Sequence, residues 1–515
     1  MSKKPNILLL ILDGARNDAL SLNGNKNPTT PFVDSLLSQG TYFRHCYSAG
    51  NCSLPSHISI FSGKTPYFHK ASSNFSVYDG RYPLIMEILK EQLGYRVEGV
   101  STENPYFTRE VGFVRGFDHY SYITKVRNPA KNAKHGPSGQ GFIKKTVSSA
   151  KRKIKDLVKK NKFLANKIKL EQFRKQADFY LHNDLGGQKI VEVLSEQIKA
   201  LNSAEEPYFV FTNILEAHTP FLPLQKYRSL FGEIHLTDNL LIALLDSHRL
   251  QSREIELTSD ELATLKRLYD CGLRYADDLV KDLFGRLKAM GALDDLVVFI
   301  LSDHGEMLCE KDGLIGHGDS LYEGMIRVPL FCLNPKYFIP GKIVEAPCST
   351  TDIFGTILQL TGAQPKAGTH PISLLEQNPD RVVVADHPPV PFPARLAHIF
   401  SKDILDKLKT ERMIVKDKYK LIWEGNGGHQ LYDLSADPRE EKNIFSAYPE
   451  KAAELTKEME KWYRDQLSAG ETFNLASYEY NQHHETQQPF AYDDRFFKSV
   501  TPEQMIDRHF AESIS

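Results

Sequence analysis

The sequence lacks several features that define large classes of proteins. Its longest apolar runs fall well short of the ~18 residues of a membrane-spanning helix. The six cysteines of this 515-residue chain form no C-x-x-C pair, which is typical of reduced thiols and not of a disulfide framework. The formal net charge of −1 indicates no general affinity for polyanions. These absences predict a cytoplasmic protein.

The positive charge is nevertheless concentrated in one segment. Residues 125–175 contain seventeen lysines and arginines against two acidic residues. One interpretation is a solvated or poorly ordered insertion. The other is a surface helix that docks on an anionic membrane, which would make the protein peripheral to the inner membrane face. Because no segment resembles a base-reading motif, no specific nucleic acid partner is expected.

Short apolar runs alternate with helical patterns along most of the chain. Spacing of about 3.6 residues between apolar positions predicts helices over 30–39, 84–93, 262–290 and 352–361. Continuous runs of Val, Ile, Leu and Phe indicate strands that are buried on both faces. These runs are 6–12, 96–101, 208–215, 296–302, 328–333 and 382–385. The pattern predicts an α/β fold in which helices sandwich a large, mostly parallel mixed sheet.

The pattern changes near residue 381. Residues 412–423 alternate around a turn at Asp417 and Lys418, 430–434 form another short strand, and 449–466 a helix. We therefore predict a catalytic domain over 1–380, with a basic helical insertion at about 123–180. A smaller C-terminal antiparallel-sheet subdomain and tail follow over 381–515. The tail from 477 shows no period.

Polar residues that can bind a metal follow three of the predicted strands directly. The first strand ends in Asp13, the run 208–215 in Glu216 and His218, and the run 296–302 in Asp303 and His304. In parallel sheets, sites form beyond the carboxyl ends of strands. We therefore expect these side chains to converge.

The stretch NCSLPSHISIFSG, residues 51–63, contains a candidate nucleophile. Its serine, Ser53, precedes a proline and an apolar helical run, so it can lie at a helix N-terminus that favours anions. An ordinary helix cap is the alternative interpretation.

Together these residues could form a metal-dependent active site. Asp13, Asp303 and His304, with Ser53 as an oxygen ligand, suit Mn²⁺ or Zn²⁺ better than Mg²⁺ or Ca²⁺. One such ion would lower the pKa of the nucleophile and polarise a substrate oxygen. Three further histidines could neutralise or protonate the oxygens of a tetrahedral anion. They are His57, His218 and His317.

Six segments carry a resemblance to a known family: NILLLILDGARND (6–18), SLPSHISIFSG (53–63), EAHTPF (216–221), SDHGE (302–306), GHGDSLYEGMIRVP (316–329) and YDLSADPREEKN (432–443). Through them the chain resembles the sulfatase branch of the alkaline phosphatase superfamily, over roughly 6–120 and 200–445. The resemblance implies metal at Asp13, Asp303 and His304, a nucleophile at Ser53, and a transferred group held by His218 and His317. It also implies a four-stranded C-terminal sheet.

The chain departs from typical sulfatases at several positions. Ser53 holds the place of the residue that sulfatases convert to formylglycine, and His57 replaces the arginine that supports the resulting aldehyde. Gly14 replaces a second metal aspartate, and His304 replaces an asparagine. These changes resemble phosphodiesterases, phosphonate monoester hydrolases and phospho-group transferases of the same superfamily. A single metal ion suits singly charged sulfate esters and phosphodiesters.

Three functional hypotheses follow. The first is a metal-dependent hydrolase of sulfuric or phosphoric (di)esters, glycan- or lipid-linked esters included, that acts through Ser53 or its formylglycine form. The second is a transferase that moves a phospho-alcohol group to lipid or glycan acceptors at the membrane surface. The third is a non-catalytic protein that binds anionic glycans, which the intact metal ligands disfavour.

Overall fold

A computed structural model describes residues 4–74, 76–124, 162–365, 371–376, 378–387, 410–425, 427–467, 473 and 475. Its strands are β1 (Asn6–Leu12), β2 (Gly40–Phe43), β3 (Cys46–Tyr47), β4 (Arg96–Thr102), β5 (His119–Ile123), β6 (Tyr208–Ile214), β7 (Leu296–Leu301), β8 (Met307–Leu308), β9 (Ile315–Gly316), β10 (Arg327–Val328), β11 (Leu330–Leu333), β12 (Lys342–Val344), β13 (Cys348–Ser349), β14 (Val383–His387), β15 (Glu411–Lys416), β16 (Tyr419–Glu424) and β17 (Gln430–Asp433).

Its helices alternate with these strands over most of the chain. They are α1 (Pro31–Ser35), α2 (Ser53–Ser62), α3 (Pro66–His69), α4 (Ile85–Leu93), α5 (Lys162–His182), α6 (Gly187–Asn202), α7 (Gln225–Arg228), α8 (Asp238–Leu245), α9 (His248–Gln251), α10 (Ser259–Ala289), α11 (Glu323–Ile326), α12 (Asp352–Thr361) and α13 (Pro449–Asp465).

Eight strands form the central sheet, in the order β12-β2-β11-β7-β1-β6-β4-β5. Strands β7, β1, β6, β4 and β5 run parallel, whereas β11 is antiparallel to both of its neighbours. Strand β1 is buried on both faces because alternate side chains enter different cores: Leu8 and Leu10 pack on one side, Ile7 and Leu9 on the other. The large, mostly parallel mixed sheet that the sequence predicts is confirmed.

Helices cover both faces of this sheet. Apolar residues of α6, α8 and α10 belong to the core on one face, and those of α2, α4 and α12 to the core on the other. The predicted helix over 352–361 has the observed bounds, whereas 30–39 divides into α1 and a 3-10 helix over Leu36–Gln39. The predicted strand over 328–333 also divides, because Val328 pairs with β3 and 330–333 pair with β7.

A second sheet contains β14, β15, β16 and β17, all antiparallel, which confirms the predicted C-terminal sheet. The run 382–385, which the sequence groups with the doubly buried strands of the parallel sheet, belongs here instead. It is buried on both faces because α13 covers one side of this small sheet and the segment from Leu321 to Ile326 packs on the other. The C-terminal sheet thereby contacts the segment that follows His317.

The basic segment is described only from Lys162 onward, so the interpretations of 125–161 lie outside the described residues, as does the tail from 477. In α5, Phe173 and Ala177 are buried. Lys169 Nζ lies 2.7 Å from Asp246 Oδ2, and Arg174 Nη2 lies 2.8 Å from Asp238 Oδ1. Among the described residues, none of the helices has the length and apolarity needed to span a membrane.

Candidate active site

Ser53 is the first residue of α2, at the carboxyl edge of the central sheet. The helix begins after Cys52, which is extended, and its third residue is Pro55, whose missing N–H costs nothing in a first turn. The Leu54 N–H donates to Asn74 Oδ1 at 2.8 Å, which holds the turn. The Asn51 side chain donates to the Ser320 carbonyl at 3.1 Å and ties the turn to the segment that follows His317.

Three fully buried side chains converge beside Ser53, and we call Asp13, Asp303 and His304 the strand triad. Each offers one ligand atom, and these atoms lie within 4.8 Å of one another. His304 Nε2 is 3.6 Å from Asp13 Oδ1 and 3.3 Å from Asp303 Oδ2. Ser53 Oγ is 3.4 Å from the same nitrogen. The convergence follows from the parallel pairing of β1 and β7, since Asp13 comes directly after β1 and Asp303 and His304 come within three residues of the end of β7.

The strand triad fits a divalent cation. Among the described residues, no donor hydrogen-bonds to the buried Asp13 Oδ1 or Asp303 Oδ2. His304 Nδ1 is 2.9 Å from the Gly305 carbonyl, which can only accept, so Nδ1 carries the proton and Nε2 points its lone pair at the carboxylates. Three lone pairs that face one another in a buried site require a positive charge between them. Two carboxylates, an imidazole and a hydroxyl are a mixed oxygen and nitrogen donor set.

The two carboxylates perturb each other. Burial opposes ionisation of Asp13, but His218 and His304 outweigh it and lower its pKa to about 2. Burial and the charge of Asp13 raise the pKa of Asp303 well above its usual value. A cation between them would remove this conflict by favouring the ionised form of both.

Asn213, near the end of β6, orients the first carboxylate. Its Nδ2 donates to Asp13 Oδ2 at 2.8 Å, which leaves Oδ1 directed at the other triad members. Sequence reasoning missed this residue. The available signal was an amide in an otherwise apolar strand, YFVFTNI, whose residues are all buried.

A second buried group, which we call the loop triad, consists of His218, Glu306 and His317. Its ligand atoms also lie within 4.8 Å of one another. His317 Nδ1 is 3.2 Å from Glu306 Oε1, and the Thr219 N–H donates to the same oxygen at 3.3 Å. His218 Nδ1 lies 2.8 Å from the Thr219 carbonyl, so its Nε2 points its lone pair into the site, 4.0 Å from Asp13 Oδ1.

Sequence reasoning missed Glu306, although it is the last residue of SDHGE. Gly14 makes room for it: a Cβ at this position would lie 3.0 Å from Glu306 Oε1 and 3.2 Å from the His218 Cα. Gly14 therefore stands where typical sulfatases have a second metal aspartate, and the Glu306 carboxylate lies beside the space that the aspartate side chain would fill. Burial raises the pKa of Glu306 to about 7, although His218 and His304 act in the opposite direction.

Of two further residues that the sequence places near the chemistry, Glu216 turns away from it, whereas His57 lies beside the strand triad, with Nδ1 3.4 Å from Asp303 Oδ2. The His57 Nδ1–H donates to the Ser53 carbonyl at 2.7 Å, and its ring packs against Phe107 and Phe113 at centroid distances of 4.8 and 5.6 Å. Burial lowers the pKa of His57 to about 4. Glu216 accepts the Gly187 N–H at 3.0 Å at the start of α6, and so it supports a helix instead of joining either triad.

Comparisons with known proteins agree with this geometry. The Sulfatase family model matches residues 5–363, and the model described as N-sulphoglucosamine sulphohydrolase, C-terminal, matches 318–469. The chain therefore belongs to the sulfatase family, and the predicted sulfatase-like ester hydrolase is confirmed at this level. The family generally binds a divalent metal.

Individual relatives are distant but cover most of the chain. An arylsulfatase from Clostridium perfringens is 22% identical over 86% of this chain and 91% of its own length. The crystal structure of a phosphonate monoester hydrolase of Agrobacterium radiobacter has a TM-score of 0.65 at 19% identity, covering 90% of this chain and 96% of that one. A protein solved with its substrate D-glucosamine-2-N,6-O-disulfate has a TM-score of 0.62 at 18% identity, covering 90% and 99%. These solved structures share the fold.

Proposed function

We propose that this protein is a metal-dependent hydrolase of sulfuric or phosphoric (di)esters that uses Ser53 as its nucleophile. The observation that carries the proposal is the position of Ser53 Oγ, 3.4 Å from His304 Nε2 and next to two unpaired carboxylate oxygens. A nucleophile at a helix N-terminus beside a cation-binding triad is suited to attack on a sulfur or phosphorus centre.

A divalent cation held by Asp13, Asp303 and His304 would lower the pKa of the Ser53 hydroxyl and polarise an ester oxygen. Mn²⁺ or Zn²⁺ suits this donor set best. Ser53 Oγ then attacks the sulfur or phosphorus atom as the bond to the alcohol oxygen breaks, and the leaving alcohol takes up a proton. Water later cleaves the ester at Ser53, which releases sulfate or the phospho-group and restores the hydroxyl.

The remaining residues position this chemistry. First-turn N–H groups of α2 and the helix dipole favour the negative charge of the transferred group. His218 and His317 line the opposite side of the same space, so the transferred oxygens lie between the two triads. His57 acts on Ser53 through its backbone carbonyl, and we assign it a positioning role.

The chemistry of the relatives supports esters of anionic sugars as substrates. Proteins similar to this one include an N-acetylglucosamine-6-O-sulfatase from Bacteroides thetaiotaomicron. A phosphonate monoester hydrolase shares the fold. We therefore propose a sulfated or phosphorylated glycan ester as the substrate class.

Two measurements test this function. Ser53→Ala should lower kcat on aryl sulfate or aryl phosphodiester by at least ~10³-fold while leaving the metal bound. Cys52→Ala is the matched control, since burial raises the pKa of this thiol to about 12 and its neighbour carries the chemistry. Turnover that survives Ser53→Ala removes the proposal.

Mass spectrometry of the peptide that contains Cys52 and Ser53 then identifies the nucleophile. Loss of two hydrogens from Ser53 would show formylglycine and favour sulfate esters. An unmodified serine would favour phosphoric esters.

A further inference from the structure

We propose that the loop triad, His218, Glu306 and His317, binds a second divalent cation, so that the transferred group lies between two cations. Each residue offers one ligand atom, and these atoms lie within 4.8 Å of one another in a buried site. Two imidazoles and one carboxylate are a donor set that zinc hydrolases use with an open coordination position. This is a separate site from the strand triad, which has its own three ligands.

The hydrogen bonds of the loop triad leave lone pairs directed at the site. His218 donates its Nδ1–H to the Thr219 carbonyl at 2.8 Å, so Nε2 can only accept or bind a cation. That nitrogen is 4.0 Å from Asp13 Oδ1, which is itself an acceptor. The oxygens of a sulfate or phosphate ester are also acceptors. Without a positive charge, lone pairs of the protein would face lone pairs of the substrate.

Protonated histidines supply that charge poorly at this position. The ring of His317 lies 4.7 Å from the ring of His218 and 4.2 Å from that of His304. Two imidazolium ions at this spacing in a buried site would repel each other. One divalent cation supplies the same two positive charges without this repulsion and binds the lone pairs of both rings at once.

Glu306 distinguishes a cation site from a pair of substrate-binding histidines. Its side chain is fully buried, and its carboxylate contacts the Thr219 N–H and His317 Nδ1. Gly14 has a φ of +74° and no Cβ, which keeps open the volume next to this carboxylate. The negative charge of a buried carboxylate repels a bound anion directly, whereas the same carboxylate completes a three-ligand cation site with the two imidazoles.

The two triads are neighbours, so cations bound to them would be close together. In two-metal hydrolases, cations about 4 Å apart stabilise the attacking and leaving oxygens. A second cation would make the site more positive and favour a transferred group with two negative charges over a singly charged one. This consequence rests on the proposed function, whereas the number of bound ions does not.

Metal content of the full-length chain tests the proposal. The protein is stripped with a chelator, reloaded with Zn²⁺ or, in parallel, Mn²⁺, freed of excess ion by gel filtration, and measured by mass spectrometry of the metal. We expect about two ions per chain, falling to about one in Glu306→Gln and in His317→Ala. Asp303→Asn should also retain about one ion, at the loop triad.

Glu233→Gln is the matched control, because Glu233 and His235 form an exposed glutamate–histidine pair at 3.3 Å on the surface. It should keep both ions. A wild-type chain that holds one ion overturns the proposal whether or not the variants fold. So does a Glu306→Gln chain that keeps both ions, since Glu306 would then only orient His317 by a hydrogen bond. Either outcome leaves the Ser53 test of the proposed function untouched.

Discussion

The strand triad and the loop triad lie side by side, but the molecule supports them differently. Asp13 comes directly after β1 and Asp303 two residues after β7, and these two strands are paired at the centre of an eight-stranded sheet, so the backbone ladder sets their spacing. The loop triad lies outside this sheet: Glu306 and His317 flank the two-residue strands β8 and β9, and His218 lies four residues after β6. Contacts from distant parts of the chain hold these segments. The comparison teaches that one half of the site is a property of the sheet, whereas the other half depends on tertiary contacts.

The largest effect should come from breaking the strand triad with Asp303→Asn. We expect kcat/KM to fall by at least ~10³-fold, because cation and activated nucleophile are lost together. Without metal, the variant should be as stable as the wild type or more so, since the repulsion that raises the pKa of Asp303 is gone. Thermal unfolding with and without metal checks this, since only the metal-induced stabilisation should disappear.

Asp312→Asn is the control for that variant, because Asp312 is an exposed carboxylate in the turn between β8 and β9 and its positive φ of 46° also suits asparagine. Activity should be unchanged. Equal loss in both variants would show that the effect of Asp303→Asn is not specific to the triad.

The next largest effect should come from the contact between the C-terminal sheet and the loop that carries His317. Lys420 is fully buried, with Nζ 3.1 Å from Glu323 Oε1 and 2.8 Å from Glu440 Oε1. Lys420→Met leaves the buried Glu440 without its cation and leaves Glu323 with Arg327 alone, at 3.6 Å, so it should lower the free energy of unfolding by ~3–5 kcal/mol. Hydrogen exchange should increase in 316–326 before it increases in 6–13.

Lys418→Met is matched to it, since Lys418 lies two residues away in the same hairpin region but pairs with Asp433 at the surface. Urea unfolding should detect little change there. If Lys420→Met loosened both triads equally, the distinction between sheet-supported and loop-supported groups would be wrong.

The distinction between sheet-supported and loop-supported groups also explains which site residues the sequence predicts. Asp13, Asp303 and His304 are visible because a strand pattern ends in them, and Ser53 because a proline and an apolar helix follow it. His218 also follows a predicted strand, whereas no strand pattern marks His317, and the family resemblance implies that both hold the transferred group. Glu306 and Asn213 are missed because their partners lie 11 and 200 residues away in the chain. Glu216 shows the converse, since a strand-end carboxylate can turn away to cap a helix.

A smaller effect should follow from Asn213→Ala, which removes the hydrogen bond that orients Asp13. We expect metal affinity at the strand triad to fall by about 10- to 100-fold. Titration of the metal-free protein with Zn²⁺ by calorimetry measures it. Thr212→Val is the control, because the neighbouring Thr212 is equally buried and its hydroxyl has no hydrogen-bond partner among the described residues. An Asn213→Ala affinity like that of Thr212→Val would mean that the sheet alone orients Asp13.

The smallest effect concerns α2, the helix that presents Ser53 to both triads. His69 is buried, accepts the Ala71 N–H at Nδ1 and donates from Nε2 to Ser59 Oγ in α2 at 2.9 Å. Burial lowers the pKa of His69 from 6.5 to about 3. The folded protein therefore keeps this ring neutral while the unfolded chain protonates it. The stability it contributes is present above about pH 6.5 and declines, by ~1.4 kcal/mol per pH unit, as the pH falls from 6.5 towards 3.

His69→Gln keeps a donor for Ser59 but cannot take up the proton. In chelator, so that metal binding adds no pH dependence, the free energy of unfolding of the variant should fall less steeply between pH 6 and 5, by ~1.4 kcal/mol per unit. His57 acts in the same direction in both proteins, because burial also lowers its pKa, and so it cancels in the difference. Parallel pH profiles for wild type and variant would show that His69 does not couple α2 to pH. The support of Ser53 would then rest on the sheet and on the aromatic packing around His57.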